Sequence, residues 1–400
     1  MNDKEGTAML LIPIVLIIAL VIGIIEWQAH QKYVAATPIR VNVNGIRGKS
    51  TVTRLITGII KEAGYKTIGK TTGTSARLIY WDTPEEEPIQ RRPEGPNIHE
   101  QKMVVKKAAE LGAEALVSEC MAVNPDYQII FQEKLVQANI GVIVNVLEDH
   151  MDVMGPTLDD VAEAFTATIP YDGHLIISDG PYVAYFQKEA AKRNTKVIVA
   201  DNSKIKDSYL REFDYMVFPE NASLSLAVAE ALGIDEETAY RGMLNAQPDP
   251  GAMRIQQIKR KDSTAYFVNG FAANDPVSTM NIWDRIESQG YPTKYPIVLM
   301  NCRADRVDRT IQFANDVLPY LPIDTLVLIG EEVDPIKDAI KSGKIKVSQM
   351  LDLQGMSTDE IYETLFEITS NNVIYGIGNI HGAAEPLIEK FEAQAEIGGA

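Results

Sequence analysis

Cysteine is nearly absent. Cys120 and Cys302 are the only two in 400 residues, they lie in different halves of the chain, and each follows a strand-like run. Such scarcity excludes a disulfide framework and leads us to expect reduced, buried thiols suited to the cytosol. Basic charge is also in short supply. Lys and Arg number 38 against 55 Asp and Glu, a formal net charge of −17 that excludes a broad nucleic-acid surface, because phosphates would be repelled. An anionic substrate would need basic residues gathered locally. Internal repeats and low-complexity tracts are missing too. What is present is a hydrophobic content of 46%, ample for two to three globular domains.

One long run lacks charge altogether. Ala8 to Ile25 would form a helix about 27 Å long, at the short end of what crosses a bilayer. A signal peptide expects a basic start and a shorter apolar stretch, whereas this chain begins Asn2-Asp3-Lys4-Glu5; a buried helix would not be apolar on every face. An uncleaved, single-pass anchor is the expectation. Lys32, Arg40 and Arg47 follow it while only Lys4 precedes it, which places the C-terminal bulk in the cytoplasm.

From Ile39 onward apolar runs alternate with helical patterns, the mark of an α/β fold with a mostly parallel sheet. Strands are expected at Ile39–Val43, Ala115–Ser118, Ile140–Val146, Leu175–Ser178, Lys196–Ala200 and Tyr215–Phe218. Trp81 to Asn97, rich in proline and mixed charge, reads as a surface loop. Helices over Asn221–Leu232 and Asp235–Leu244 precede Asn245–Met253, where N-A-Q-P-D-P-G-A-M breaks regular structure and marks a domain boundary. Beyond it, strands near Ala265–Asn269, Pro296–Met300, Thr325–Gly330 and Val373–Gly376 predict a second, smaller Rossmann-like α/β domain. The expected division is 1–35 for anchor and linker, 36–250 for a central domain and 251–400 for a C-terminal domain.

Asn42 to Thr51 reads N-V-N-G-I-R-G-K-S-T, a strand running into a glycine turn, with Val52–Ala63 helical after it. Glycines let successive N–H groups face phosphate oxygens, the helix start adds positive potential, Lys49 supplies a cation, and Ser50 offers a hydroxyl to Mg²⁺. The first glycine of the common G-x-x-x-x-G-K-[ST] spacing is missing, since Val43 stands there. Glu119 ends an apolar strand where parallel sheets gather ligands, and is a candidate Mg²⁺ ligand or a solvated strand end. After the next strand come Asn145, Glu148, Asp149, His150 and Asp152, too many polar and ionisable groups for a simple turn. His150 beside carboxylates at that sheet edge suggests a metal and phosphate role.

These motifs resemble, in order and spacing, the ATP domain of the Mur ligase and folylpolyglutamate synthase superfamily. More closely, the anchor followed by V-N-V-N-G-I-R-G-K-S-T-V-T-R, K-T-T-G-T-S-A-R-L-I-Y-W-D-T-P, S-E-C-M-A-V-N-P-D-Y-Q and Y-G-I-G-N-I-H-G-A-A-E-P is similar to the ligase subunits of poly-γ-glutamate synthases. The resemblance covers nearly the whole chain. It implies a Mur-ligase-like ATP-binding domain, with ATP and Mg²⁺ as cofactors and Asn44, Gly45, Arg47, Gly48, Lys49, Ser50 and Thr51 cradling the nucleotide. Ser50 and Glu119 would bind a first metal and His150 a second, with Asn145, Asp149 and Asp152 in support. Arg254 resembles a linker arginine that reaches the nucleotide. Asn274-Asp275 and Arg303 to Arg306 occupy stretches that close over ATP and acceptor.

Two departures stand out. The carbamylated lysine common in Mur-type ligases has no counterpart, because no lysine occurs between His150 and Lys188. Only Asn221 remains of the adenine-contacting segment, and it serves equally well as a helix N-cap. Thr71, Thr72, Gly73 and Thr74 resemble a substrate-side loop or form a polar turn. Arg303, Arg306 and Arg309 suit glutamate and polymer carboxylates, or else pair with Asp305 and Asp308. Lys259-Arg260-Lys261 reads as a solvated hairpin turn. The resemblance implies a ligase that polymerises glutamate through γ-linkages by way of an acyl phosphate, with partner membrane subunits. Rival readings are a Mur- or folate-type ligase with another acceptor, and a membrane-tethered P-loop regulator or kinase.

Overall fold

The computed structural model describes residues 3–72, 76–90, 97–213, 215–249, 252–259, 263–273 and 275–397. The chain divides into two compact units, one of residues 1–206 with 217–250 and one of 207–216 with 251–400. Among the described residues the first unit has eight strands: β1 (Ile39–Asn44), β2 (Thr67–Lys70), β3 (Arg77–Ile79), β4 (Glu87–Pro88), β5 (Ala115–Glu119), β6 (Ile140–Ile143), β7 (His174–Ser178) and β8 (Lys196–Ala200). Their order across the sheet is β4-β3-β2-β5-β1-β6-β7-β8. From β2 to β8 every pairing is parallel, and the two antiparallel pairings are those of β3 with β2 and with β4.

Val41, Val43, Val117, Ile140, Val142 and Ile176 are buried because helices cover the sheet, as parallel strands require. Helix Lys49–Glu62 contributes Val52, Ile56 and Ile60 to that core, and helix Pro219–Leu232 contributes Leu224 and Val228. The parallel arrangement brings the carboxyl ends of β2, β5, β1 and β6 to one edge. Thr72, Glu119, the glycine loop and Asn145 to His150 all emerge there.

The N-terminal helix runs from Asp3 to Ala36 rather than ending with the uncharged run. Ile12 to Ala36, 25 residues, contain an 18-residue window of mean hydropathy 2.3, apolar and long enough to cross a membrane. Its last turns pack on the fold: His30 and Val34 are buried, and Val34 joins a core with Ile68, Leu78 and Val104. The Leu135 carbonyl can only accept, so His30 Nε2 donates to it at 2.8 Å.

Among the described residues the second unit has six strands: β9 (Ile255–Lys259), β10 (Thr264–Asn269), β11 (Ile297–Cys302), β12 (Thr325–Gly330), β13 (Gln349–Asp352) and β14 (Val373–Gly378), ordered β13-β12-β11-β14-β10-β9. All pairings are parallel except β9 with β10. Its core holds Phe267, Leu299, Val327, Ile374 and Phe391, with Phe267 stacked on Phe391 at 4.1 Å between ring centroids.

Several expectations change. Tyr215–Phe218 is not a strand: Tyr215 makes a single antiparallel bridge with Arg254, and Pro219 then opens a helix. β6 stops at Ile143, three residues early, because the chain turns into the loop that carries Asn145. Part of the expected surface loop is the short strand β4, while residues 91–96 lie outside the described ones. Gly73, Thr74, Arg260, Lys261 and Asn274 lie outside them as well. Both cysteines are free and buried; burial pushes the Cys120 thiol up to about 12 and that of Cys302 to about 11, so neither is a nucleophile near neutral pH.

Candidate active site

β1 ends at Asn44, and the chain must then turn sharply beneath its neighbours. Gly45 takes φ +130°, and a Cβ there would lie 3.0 Å from the Val144 nitrogen; Gly48 takes φ +81°. Both positions therefore require glycine. The turn is clamped from the adjacent loop, where Asn145 Oδ1 accepts from the Ile46 and Arg47 amides at 3.1 Å each and its Nδ2 donates to the Arg47 carbonyl at 3.0 Å. From beneath, Gln128 holds Asn44: Oε1 of the glutamine accepts from Nδ2 of the asparagine at 2.8 Å. Gln132, in the π-helical stretch Phe131–Val136, accepts from Asn42 at 3.0 Å. The helix then starts at Lys49, so Lys49, Ser50 and Thr51 form its first turn with Gly48 just ahead. Lys49 Nζ donates to the Gly45 and Ile46 carbonyls at 2.8 and 2.9 Å, which fixes the cation across the loop mouth. The Arg47 side chain is exposed.

Glu119, at the end of β5, is buried and fully engaged. Its Oε2 accepts from Ser50 Oγ at 2.9 Å and from the Thr72 amide at 2.8 Å, and its Oε1 from Thr72 Oγ1 at 2.5 Å. The sequence left Glu119 open as a solvated strand end; the structure makes it the hub between β5, the glycine loop and the β2 exit. Thr71 plays a local part, its hydroxyl accepting from the Arg77 amide at 3.1 Å. His150 adopts φ +51°, a left-handed turn held by Asp149 Oδ1 accepting from its backbone amide at 2.9 Å. Asp149 and the ring also approach at 3.8 Å, and Asp152 lies exposed in the following turn. Lys49, Thr72, Glu119 and His150 line one cleft of about 540 Å³.

Among the described residues, no three His, Cys, Asp or Glu side chains gather to hold a metal unaided. Ser50 Oγ and the Glu119 carboxylate do converge as a pair of oxygen donors. That incomplete oxygen set suits Mg²⁺, which usually takes one or two protein oxygens and completes its shell with phosphate and water.

Asn221 is not a helix N-cap. Phe218 occupies that position, and Asn221 lies within the helix with its side-chain amide against the loop, where a Cβ on Gly48 would meet its Oδ1 at 2.8 Å. A residue that sequence reasoning missed is Arg54, fully buried one turn further along the loop's helix. It makes a bidentate pair with Glu86, NH2 donating to Oε2 at 2.9 Å, and sits 3.9 Å from Asp249. The only signal for it was an arginine on the apolar face of an amphipathic helix.

In the second unit, Arg303 follows β11 and lines a separate cleft of about 510 Å³ with Asp305, Gly330, Glu331 and Gly382. Arg303 NH2 pairs with Asp305 Oδ2 at 2.8 Å, as the local ion-pair alternative foresaw, while Arg309 donates to Asn379 Oδ1 at 2.8 Å instead of pairing with Asp308. Arg306 is exposed, as is Arg254 just before β9. Asp275 caps helix Pro276–Ser288 through the Ser278 amide at 2.8 Å.

Residues 43–247 match the family model of the Mur ligase middle domain, and residues 255–394 that of the poly-gamma-glutamate synthase CapB C-terminal domain. The PGA synthase CapB of Bacillus subtilis (strain 168) is 68% identical over 94% of this chain and 95% of its own. The chain belongs to the CapB family. The capsule biosynthesis protein CapB of Bacillus anthracis is 64% identical over 95% of this chain and 82% of its own. Solved structures with the same fold include Escherichia coli FolC in complex with ADP, at TM-score 0.63 and 14% identity, covering 92% of this chain and 93% of that one. MurF from Acinetobacter baumannii matches at TM-score 0.62 and 15% identity, covering 94% of this chain and 80% of that one. A folylpolyglutamate synthase from Yersinia pestis complexed with AMPPNP and Mn ion matches at TM-score 0.61 and 12% identity, covering 91% and 92%. CapB members thus share the α/β scaffold of ATP-dependent amide ligases.

Proposed function

We propose that this chain polymerises glutamate into poly-γ-glutamate, activating a γ-carboxylate with ATP and coupling it to the amine of another glutamate. The observation that carries this reading is the single cleft lined by Lys49, Glu119 and His150 at the carboxyl edge of a parallel sheet, in a chain 68% identical to a PGA synthase. A P-loop kinase or regulator has no use for a second α/β unit of the CapB type, and the close relatives favour glutamate over another acceptor.

The chemistry follows from charge and alignment. A γ-carboxylate oxygen bonds to the γ-phosphorus of ATP and ADP leaves; the acceptor nitrogen then bonds to the acyl carbon and phosphate leaves. Lys49 and the loop amides from Asn44 to Thr51 offset charge on the β- and γ-phosphates. Ser50 and Glu119 would hold Mg²⁺, which when bound neutralises phosphate charge and fixes its geometry, with His150 at a second position. Asn221, beside Gly48, and Arg254 are assigned to the nucleotide. Arg303 and Arg306 are assigned to carboxylates of acceptor and polymer, which planar guanidinium groups bind in bidentate fashion.

Residues 1–35 are assigned to anchor and linker, 36–250 to the ATP-binding domain and 251–400 to the C-terminal domain, apart from residues 207–216, which group with the second unit. The apolar helix serves as a single-pass membrane anchor with the ATP-using domains in the cytoplasm, beside partner membrane subunits for activity and export. The deciding experiment supplies membranes carrying the chain and its partners with ATP, Mg²⁺ and labelled glutamate. A protease-resistant polymer and stoichiometric ADP are expected; ADP release without an amide product would overturn the reading.

A further inference from the structure

Helix Glu100–Glu110 marks the level of the first unit's sheet at which the N-terminal helix leaves the fold. Its first turn sits at the carboxyl edge. Ser118 Oγ, one residue from the end of β5, donates to Gln101 Oε1 at 3.0 Å, and Lys70, the last residue of β2, lies 3.7 Å from Glu100. Gln101 Nε2 also donates to the sulfur of Met121, at 3.4 Å, and Met121 lines the nucleotide cleft. The other end of the helix reaches the opposite edge, where strands begin: just ahead of β5 and β2, the Glu114 amide donates to the Lys66 carbonyl at 2.8 Å.

Lys102, the residue after Gln101, pairs with Glu26 of the N-terminal helix. That helix ends at Ala36, and β1 begins at Ile39 on the amino edge. From Glu26 to Ala36 it therefore descends the height of the sheet, about 15 Å at 1.5 Å per residue. Everything before Glu26 stands beyond the carboxyl edge, and there Ile12 to Ile25 are exposed throughout. Trp27, 61% exposed, falls where the uncharged run stops, as tryptophans do at membrane interfaces.

We infer that the carboxyl edge of the first unit is its membrane face, lying against the headgroup layer of the bilayer that the apolar helix spans, so that the cleft of Lys49, Glu119 and His150 works at the lipid surface. This inference rests on the reading of that helix as an anchor. The occupant follows from continuity, since the lipid around the apolar run is what next meets the edge from which the run projects. A net charge of −17 does not draw the chain as a whole to anionic lipid, so the contact falls to local side chains. Met103, beside Lys102, is 72% exposed, and Tyr127 is 54% exposed next to Gln128, which holds the end of β1. An apolar side chain and a phenol at that level suit headgroup depth. A polymer made there is released at the membrane.

The test places the full-length chain in vesicles of phosphatidylethanolamine and phosphatidylglycerol. Both native thiols are buried, so an introduced exposed cysteine alone takes an environment-sensitive fluorophore. Met103→Cys and Tyr127→Cys are compared with Leu111→Cys, an exposed position at the other end of the same helix, about 12 Å further on. Lipids carrying a quencher at headgroup depth should remove most of the emission at 103 and 127 and leave 111 bright. Equal quenching at 103 and 111, or quenching at 111 alone, would overturn the inference. Sedimentation of the same samples through high salt separates it from the anchor reading. Vesicle-bound chain unquenched at 103 refutes the orientation and keeps the anchor, whereas chain that stays soluble refutes both. Quenching at 103 that disappears when the partner subunits are reconstituted alongside would give the edge to a protein partner and overturn the inference too.

Discussion

At the scale of single residues, the proposed nucleotide chemistry rests on a few side chains. Lys49→Ala and Glu119→Ala should each abolish glutamate-dependent ADP release, since one removes the cation assigned to the phosphates and the other the hub that Ser50 and Thr72 share; normal turnover in either would sink the assignment. Asn145→Ala leaves two loop amides and a carbonyl without their shared partner. At about 1 kcal/mol for each bond, the KM for ATP should rise about tenfold or more while the fold persists, as steady-state kinetics and thermal melting will show. That Lys49, Glu119 and His150 share one cleft was legible because residue type, strand position and spacing all speak locally. Thr72 was legible only as one of several loop hydroxyls, since nothing in K-T-T-G says which oxygen meets Glu119. Asn221 was half misread: N-capping is a local rule, but the helix begins two residues earlier, at Pro219, and the side chain turns to Gly48 instead.

At the level of elements, Arg54 ties the loop's helix to Glu86, on the approach to β4, and to Asp249, at the end of the first unit. Breaking one partner of a buried ion pair strands the other, so Arg54→Leu should cost about 3 kcal/mol or more, whereas Arg54→Leu with Glu86→Leu should recover much of it in chemical denaturation. Asp249 behaves differently. Burial raises its carboxyl above the usual range despite Arg54, whose guanidinium is already committed to Glu86. A raised folded value means that stability is full below the unfolded pKa and declines as pH rises through the folded one. Asp249→Asn should therefore melt higher than the parent at pH 7, with the gap closing toward pH 3; a gap independent of pH would refute this. Central strands such as β5, β11 and β12 were legible as apolar runs, because helices bury both faces, and β1 as β-branched residues leading into the glycine turn. β3, β4, β9 and β13 were not. They lie at sheet edges or beside them, where strands can be short or expose polar side chains, and β2 was hidden by its glycine and lysine.

For the whole molecule, the apolar helix predicts that the chain sediments with membranes and stays there through high salt; recovery in the soluble fraction would count against an anchor. The two α/β units were legible from strand spacing and the proline-rich break near residue 250. The affiliation of 207–216 with the second unit was not, because it rests on tertiary contacts such as Arg285 NH1 to Asp207 Oδ1 at 2.8 Å.

The N-terminal helix does not hand over to a flexible leash. It runs unbroken from its apolar stretch to Ala36, and its base is keyed into the first unit by His30 and Val34. The residue that receives His30, Leu135, belongs to the same π-helical stretch whose Gln132 supports the strand that leads into the glycine loop. The helix is therefore a rigid mast stepped into the hull: tilting its far end must tilt the cleft with it, and the direction in which the cleft opens is set by the helix axis rather than by chance tumbling.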